Sequence, residues 1–401
     1  MDEYIERLKR GTLKLYALDD ELSPDEAIAV RRRFVEDQME AELTRLGEYT
    51  MSAERAVKKN CENMVGCIQI PVGVAGPVLV QGEYADGEVY LPLATTEGAL
   101  VASVNRGCRA ITEAGGATVR IQRDGMTRAP VFAARDVAHS MEVVRYVETH
   151  EDVLRDLAEA TTSFGKLTGL RCFVTGTSVF VRLEFFTGDA MGMNMVTIGS
   201  ERVAQKIEQE TGAHLVSLSG NMCTDKKPSA LNLIEGRGKT VIAGVFLTNE
   251  QVKRIFKCDA KAMVDVNTRK NLVGSARAGA LGFNAHAANV IAAMYLACGQ
   301  DPAHVVEGSS CITTMEEAEG GVYVAVTLPA VQVGTVGGGT GLDTQRELLS
   351  MLGCAGGGTP PGSNARKFAE IVATGVLAGE LSLIGAQAAG HLARAHKQLG
   401  R

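Results

Sequence analysis

Between residues 130 and 216 short strand-like runs alternate with helical ones, and no other feature of the chain constrains its fold as tightly. Residues 131–132, 171–174, 178–185 and 214–218 are rich in β-branched and aromatic side chains and read as strands. Residues 138–150, 153–164 and 198–211 carry helical spacing. Strands alternating with helices over so short a stretch predict a small α+β sandwich of ferredoxin-like type. At 401 residues the chain is too long for one ordinary core, so about two or three domains are expected.

The segment before this unit begins as helix. Ser23-Pro24-Asp25-Glu26 forms a capping box with proline at the first helical position, followed by Ala27, Val30, Phe34, Met39 and Leu43. Residues 65–80 are apolar and broken by Gly and Pro, as in strand and turn. A helix is expected after Thr95-Thr96, burying Leu100, Val104, Cys108 and Ile111. Beyond the small unit, residues 219–239 are rich in charge, Gly and Asn and predict an exposed functional loop. Helix is expected again over 284–299, strand over 321–328, and a long final helix from Ser363-Asn364 towards Gly390.

Composition narrows the function. Trp is absent, aromatics are 5 % and the formal net charge is −6, so a nucleic-acid surface is not expected. Nine scattered cysteines without a C-x-x-C pair predict reduced thiols in a cytoplasmic protein, with no zinc site or other metal. The charged N-terminus lacks a signal sequence, and apolar runs such as 290–298 are too short to span a bilayer, so no membrane is expected. Generic nucleotide motifs fail. Gly238-Lys239-Thr240 lacks the first P-loop glycine, which would fall at Leu233, and Gly337-Gly338-Gly339-Thr340-Gly341 is not a Rossmann fingerprint.

Other strings are far more specific. They include Glu62-Asn63-Met64-Val65-Gly66, Pro71-Val72-Gly73-Val74-Ala75-Gly76-Pro77, and Thr95-Thr96-Glu97-Gly98-Ala99-Leu100-Val101-Ala102-Ser103. Asp189-Ala190-Met191-Gly192-Met193-Asn194-Met195, Asp225-Lys226-Lys227-Pro228 and Glu235-Gly236-Arg237-Gly238-Lys239 follow. Asn284-Ala285-His286-Ala287-Ala288-Asn289, Gly299-Gln300-Asp301, Val336-Gly337-Gly338-Gly339-Thr340 and Gly390-His391-Leu392 complete the set. In this order they resemble the catalytic portion of 3-hydroxy-3-methylglutaryl-CoA (HMG-CoA) reductases, from about Glu62 to His396. The likeness is to the class I branch, without the membrane anchor of its eukaryotic members.

The resemblance implies reduction of HMG-CoA to mevalonate and CoA with two hydrides from NADPH, NADH being the less expected donor. A thioester carbonyl accepting hydride builds charge on oxygen, which a fixed cation stabilises. Two adjacent lysines alone read as a solvated loop; the resemblance makes Lys226 the oxyanion cation. It makes Glu97 the acid/base carboxyl, raised by burial near an acyl group, and Asp301 the link joining Lys226 and Glu97 in one network. His396 matches the histidine that protonates the departing thiolate, with His391 in a supporting or structural role. Around the hydroxymethylglutaryl end it implies Arg128, Ser219, Asp225, Lys227, Lys270 and Asn289. Along the CoA arm it implies Ser103, Asn105 and Arg106, with Tyr16 a weaker candidate. For the cofactor it implies Asp189, Met191, Gly192, Met193 and Asn194, joined by Gly337 and Gly338.

There is one departure. Class I members carry a Ser-Arg pair facing the 2′-phosphate, where this chain has Thr162-Ser163, and the nearest base is Lys166, expected one helical turn on. The phosphorylatable serine that eukaryotic members carry just beyond the catalytic histidine is also expected to be missing, since the sequence ends at Arg401. The implied architecture is α+β: a helical N-terminal segment (1–65), a large CoA-substrate domain (66–128 and 219–401), and an inserted NADP-binding domain (129–218). The family builds its site between subunits, with the Glu62 string at the contact, so a homodimer or dimer of dimers is expected. Two rivals remain: a thiolase-type acyl transferase using Cys and His, and a CoA-binding protein that does no chemistry.

Overall fold

One strand, Ala117–Arg128, belongs to two sheets and sets the plan of the molecule. The computed structural model describes residues 1–390. Its strands are β1 (Val72–Gln81), β2 (Asp86–Ala94), β3 (Ala117–Arg128), β4 (Val131–Ala133) and β5 (Lys166–Thr175). β6 (Ser178–Phe186), β7 (His214–Ser217), β8 (Gly238–Thr248), β9 (Ile312–Ala318) and β10 (Gly321–Val331) complete them. The first part of β3 pairs with β8 and runs parallel to β1, giving the order β2-β1-β3-β8-β10-β9. Its last three residues leave that sheet and pair with β6.

The second sheet runs β7-β4-β6-β5, all antiparallel. Helices Val137–Thr149, Glu151–Glu159 and Met193–Thr211 lie between its strands in sequence, which is the ferredoxin-like arrangement the sequence predicted. Each sheet has its own core. Phe132, Val143, Leu154, Val181, Phe185, Val203 and Ile207 are buried together around the second. Val80, Leu91, Val104, Val245, Ile291, Val324 and Leu377 belong to the larger core of the first.

The capping box at Ser23 forms as expected and starts the helix Pro24–Met39. The helix Leu100–Glu113 buries the four predicted residues. Several boundaries differ: the helix begun at Pro24 ends at Met39, short of Leu43, and the one expected over 284–299 spans Ala287–Ala297. The helix expected to reach Phe164 stops at Glu159, because Thr162 Oγ1 accepts from the amides of Phe164 and Gly165 and turns the chain into β5. The helix expected from Ile198 begins at Met193, capped by Gly192 at φ 97°.

The final helix, Ser363–Ala388, corrects the expectation that no apolar run is long enough to cross a bilayer. By length and composition it is, but 94 % of its most apolar window is buried inside the fold. Its two carboxylates are buried as well. Glu370 accepts from the amides of Glu83, Tyr84 and Ala85, and Glu380 from those of Ala285 and His286. Such pairing is what a buried charge requires, and it suits a helix threading the core.

Candidate active site

Where β3 crosses from one sheet to the other, its end lies against the loop that follows β7 and the chain entering β8. Residues 219–239 were expected to be exposed. Instead Cys223, Thr224, Asn232, Arg237 and Lys239 are buried, because the strip is folded down onto charged partners.

Arg237 is the centre of that packing. Its Nη1 donates to Glu307 Oε1 at 2.8 Å, Nη2 lies 3.1 Å from Asp225 Oδ1, and Nε donates to Thr127 Oγ1 at 3.2 Å. His304 Nε2 is 3.2 Å from the same Asp225 oxygen, and Arg128 Nη1 is 3.9 Å from the other. Burial alone would raise the Asp225 carboxyl, but His304 and Arg237 hold it far below the usual carboxylate range. Asp225, His304 and Glu307 are close enough to hold a metal ion, yet the Arg237 guanidinium already contacts two of the three carboxylate and imidazole ligands. The guanidinium stands where a cation would, between the two carboxylates.

On this base sits Lys226. Its ammonium lies 2.8 Å from Asp301 Oδ2, and that hydrogen bond raises its pKa above the ordinary lysine value. Burial pushes Asp301 up, but Lys226 outweighs it and holds the carboxyl low. Asp301 is also fixed from its own side. It caps the turn Pro302–His304, accepting from the Ala303 amide. Lys227 Nζ turns back to the Asp225 carbonyl at 2.8 Å. Ser219 Oγ is 3.2 Å from Cys223 Sγ.

Glu97 departs from expectation. The helix starts at Leu100, so Glu97 lies in the loop before it, exposed, with its amide donating to Thr95 Oγ1. Among the described residues it makes no hydrogen bond or ion pair with Lys226 or Asp301, so one chain joins only half of the expected network. His391 and His396 lie outside the described residues.

Lys270 donates to Asn271 Oδ1 at 2.9 Å, and burial lowers its pKa, partly countered by Glu380. Asn289 Nδ2 is 3.4 Å from His286 Nδ1, whose ring Nε2 meets the Gly379 carbonyl. Ser103 and Arg106 both bond to Ser382 of the final helix, which ties down two groups expected along a CoA arm. Asn105 Oδ1 accepts from the Gly76 amide, and Tyr16 is exposed.

The residues expected at a cofactor come together in part. Ala190 and Val336 form a parallel bridge, so the methionine-rich segment and the glycine loop run side by side. They touch so closely that a side chain at Gly334 would strike the Met191 amide. Side chains at Gly337 and Gly338 would meet open space, though both have positive φ. Gly192 caps a helix with no acidic residue in its first turn, and Met193 and Asn194 lie in that turn, so its free amides suit an anionic dinucleotide. Asp189 has partners of its own. Its carboxylate accepts from the amides of Gly358, Gly362 and Ala365 at 2.8–3.0 Å and caps the final helix, so this side chain, expected at the cofactor, is already hydrogen-bonded within the chain. Lys166, expected one helical turn beyond Thr162-Ser163, opens β5 and pairs with Glu159 at 2.6 Å.

Sequence reasoning assigned no role to Arg237, His304 or Glu307. The available signal was weak: charged residues close to Lys226 and Asp301 in motif-bearing segments.

The model of the hydroxymethylglutaryl-coenzyme A reductase family matches residues 27–401. The 3-hydroxy-3-methylglutaryl-coenzyme A reductase of Methanothermobacter thermautotrophicus is 53 % identical over 98 % of both chains. That of Pyrococcus horikoshii is 50 % identical over 100 % of this chain and 98 % of its own. Reductase 1 of Dictyostelium discoideum is 43 % identical over 100 % of this chain and 73 % of its own. A solved class II reductase from Streptococcus pneumoniae, bound to NADPH in open conformations, superposes with a TM-score of 0.68 over 96 % of both chains at 20 % identity, a likeness of fold.

Proposed function

The chain belongs to the hydroxymethylglutaryl-coenzyme A reductase family, and from that membership we propose how its residues perform the reaction. The enzyme reduces HMG-CoA to mevalonate and coenzyme A, with NADPH as reductant. Lys226 is the oxyanion cation. The observation that carries this is its ammonium, oriented by Asp301 at 2.8 Å above the buried Arg237–Glu307 ion pair. A preorganised cation of this kind is worth most where charge develops in the transition state. Arg128, Lys227 and Lys270 collect the substrate carboxylate, and Ser219, Asp225 and Asn289 its polar groups. Ser103, Asn105 and Arg106 flank the CoA arm.

Bound NADPH supplies the hydrides. Met191, Gly192, Met193, Asn194, Gly337 and Gly338 would hold it, with Thr162 and Ser163 meeting its phosphate, and Asp189 supports this segment through the amides of Gly358, Gly362 and Ala365. The residues 129–218 form the NADP-binding domain, set into a substrate domain of 66–128 and 219–401 behind a helical segment of 1–65. Glu97 serves a Lys226 in a second subunit, and His396 protonates the thiolate. In support, Glu97 has no partner of its own for its carboxylate among the described residues, while exposed Ile68, Val72 and Val74 flank the nearby start of β1. Exposed apolar clusters of this kind mark protein contacts. The enzyme is a cytoplasmic homodimer, in keeping with nine unpaired cysteines. We read its type as class I, in keeping with 20 % identity to the class II Streptococcus reductase against 43–53 % to the other reductases compared.

The test is direct: purified protein, HMG-CoA and either NADPH or NADH, following loss of reduced cofactor and appearance of free thiol. We expect NADPH to be consumed at about two equivalents per thiol, since a thioester needs two hydrides to reach an alcohol. Thiol release without cofactor oxidation would point instead to an acyl transferase and would overturn the proposal.

A further inference from the structure

Lys226 has φ +56°, a left-handed conformation that costs a residue with a Cβ about 1 kcal/mol or more, and Asn221 and Thr224 of the same loop share it. Such a loop persists only if something holds it, and what holds Lys226 is unusual. Its amide donates to Glu307 Oε1 at 2.8 Å while its ammonium lies 2.8 Å from Asp301 Oδ2. Asp301 and Glu307 belong to one short stretch of chain, the turn Pro302–His304 and the helix Val305–Gly308. A single segment grips the lysine at its backbone and at the tip of its side chain.

We infer that Glu307 is a positioning residue for the reaction: it fixes the backbone from which Lys226 reaches the carbonyl oxygen. Glu307 is fully buried, and its Oε1 serves both the Lys226 amide and Arg237 Nη1. An amide donating to a carboxylate forms a stronger bond than one donating to a neutral oxygen. The other oxygen, Oε2, is buried without a partner among the described residues, and burial raises the carboxyl despite Arg237. A carboxylate placed only to neutralise Arg237 gains nothing from reaching past it to a loop amide. Arg237 and His304 meanwhile hold Asp225 from the other side, so the residue before Lys226 is anchored as well.

The inference rests on the assignment of Lys226 as the oxyanion cation, and the experiment separates the two. Full-length Glu307→Gln keeps the reach to the amide and loses the charge; Glu307→Asp keeps the charge and falls a methylene short. Positioning predicts that Gln is the better replacement, with kcat down about tenfold in Gln and about 100-fold in Asp, the loss expected for a displacement near 1 Å. The KM for the thioester stays within about threefold in both. A reversed order would mean that Glu307 serves Arg237 alone and would overturn the inference, as would parental kcat in both variants or a loss confined to KM. Lys226→Ala is the control. If it is inactive while the order is reversed, only the positioning role falls; if it turns over normally, the assignment of Lys226 falls and the inference with it.

Discussion

Lys226 and Glu97 carry complementary halves of one proposed chemistry, yet the chain treats them in opposite ways. Around Lys226, Asp225, Arg237, Asp301, His304 and Glu307 form a chain of ion pairs and hydrogen bonds, with Arg237, His304 and Glu307 buried and Lys226 exposed at its tip. Around Glu97 there is an exposed loop and one amide bond to Thr95. A buried charge must be paired where it stands, so the base under the exposed Lys226 ammonium is paired within one chain. A half left open to solvent is either unused or finished by another copy. The contrast therefore bears on assembly: it distinguishes a site that one chain closes from a site that two chains share.

The sharpest way to break that contrast is to damage each half in a different subunit. Glu97→Gln and Lys226→Ala should each lower turnover by about a thousandfold or more as pure proteins, with fold and assembly unchanged. Mixed and allowed to exchange subunits, they should regain roughly a quarter of parental activity, because about half of the dimers are hybrids and each hybrid rebuilds one intact site. Sedimentation verifies exchange, and the thiol assay reads the activity. No recovery on mixing, with exchange demonstrated, would mean that each chain closes its own site.

The two halves were also unequally legible. The Glu97 region follows from local pattern: apolar spacing at Leu100, Val104, Cys108 and Ile111 gave its helix, and the capping box gave another. The ferredoxin-like unit was readable for the same reason, since alternation is a short-range signal. The base under Lys226 was not. Arg237 and Glu307 are 70 residues apart, and nothing local distinguishes a charge that will be buried against such a partner from one left in solvent. Composition therefore made 219–239 look exposed. The capping role of Asp189 was illegible for a similar reason: its motif was noticed, but a carboxylate that caps a helix starting at Ser363 leaves no trace near residue 189.

That capping predicts the next effect in size. Asp189→Ala leaves the amides of Gly358, Gly362 and Ala365 without their acceptor, at a cost of about 2–3 kcal/mol. The glycine loop should loosen with it, since the Asp189 carbonyl also accepts from the Thr335 amide at 2.8 Å. Denaturant unfolding should thus show lower stability, and the KM for NADPH should rise. Loss of cofactor affinity at parental stability would restore Asp189 as a direct contact. Either result sharpens the comparison, because it decides whether the cofactor side, like the lysine side, rests on a buried carboxylate.

The smallest effect belongs to Lys166, the base nearest to Thr162-Ser163. Its ammonium lies 2.6 Å from Glu159 Oε2, with the lysine side chain 65 % exposed and the glutamate 22 %. An exposed pair contributes about 0–1 kcal/mol, and a lysine already committed to a carboxylate has little field left for a phosphate. Lys166→Ala should therefore alter the ratio of NADPH to NADH efficiency by less than about threefold and leave stability within about 0.5 kcal/mol. A tenfold fall in the NADPH preference would show that Lys166 leaves Glu159 when the cofactor binds. The cofactor side would then resemble the Glu97 side, a half completed only by what arrives from outside the chain.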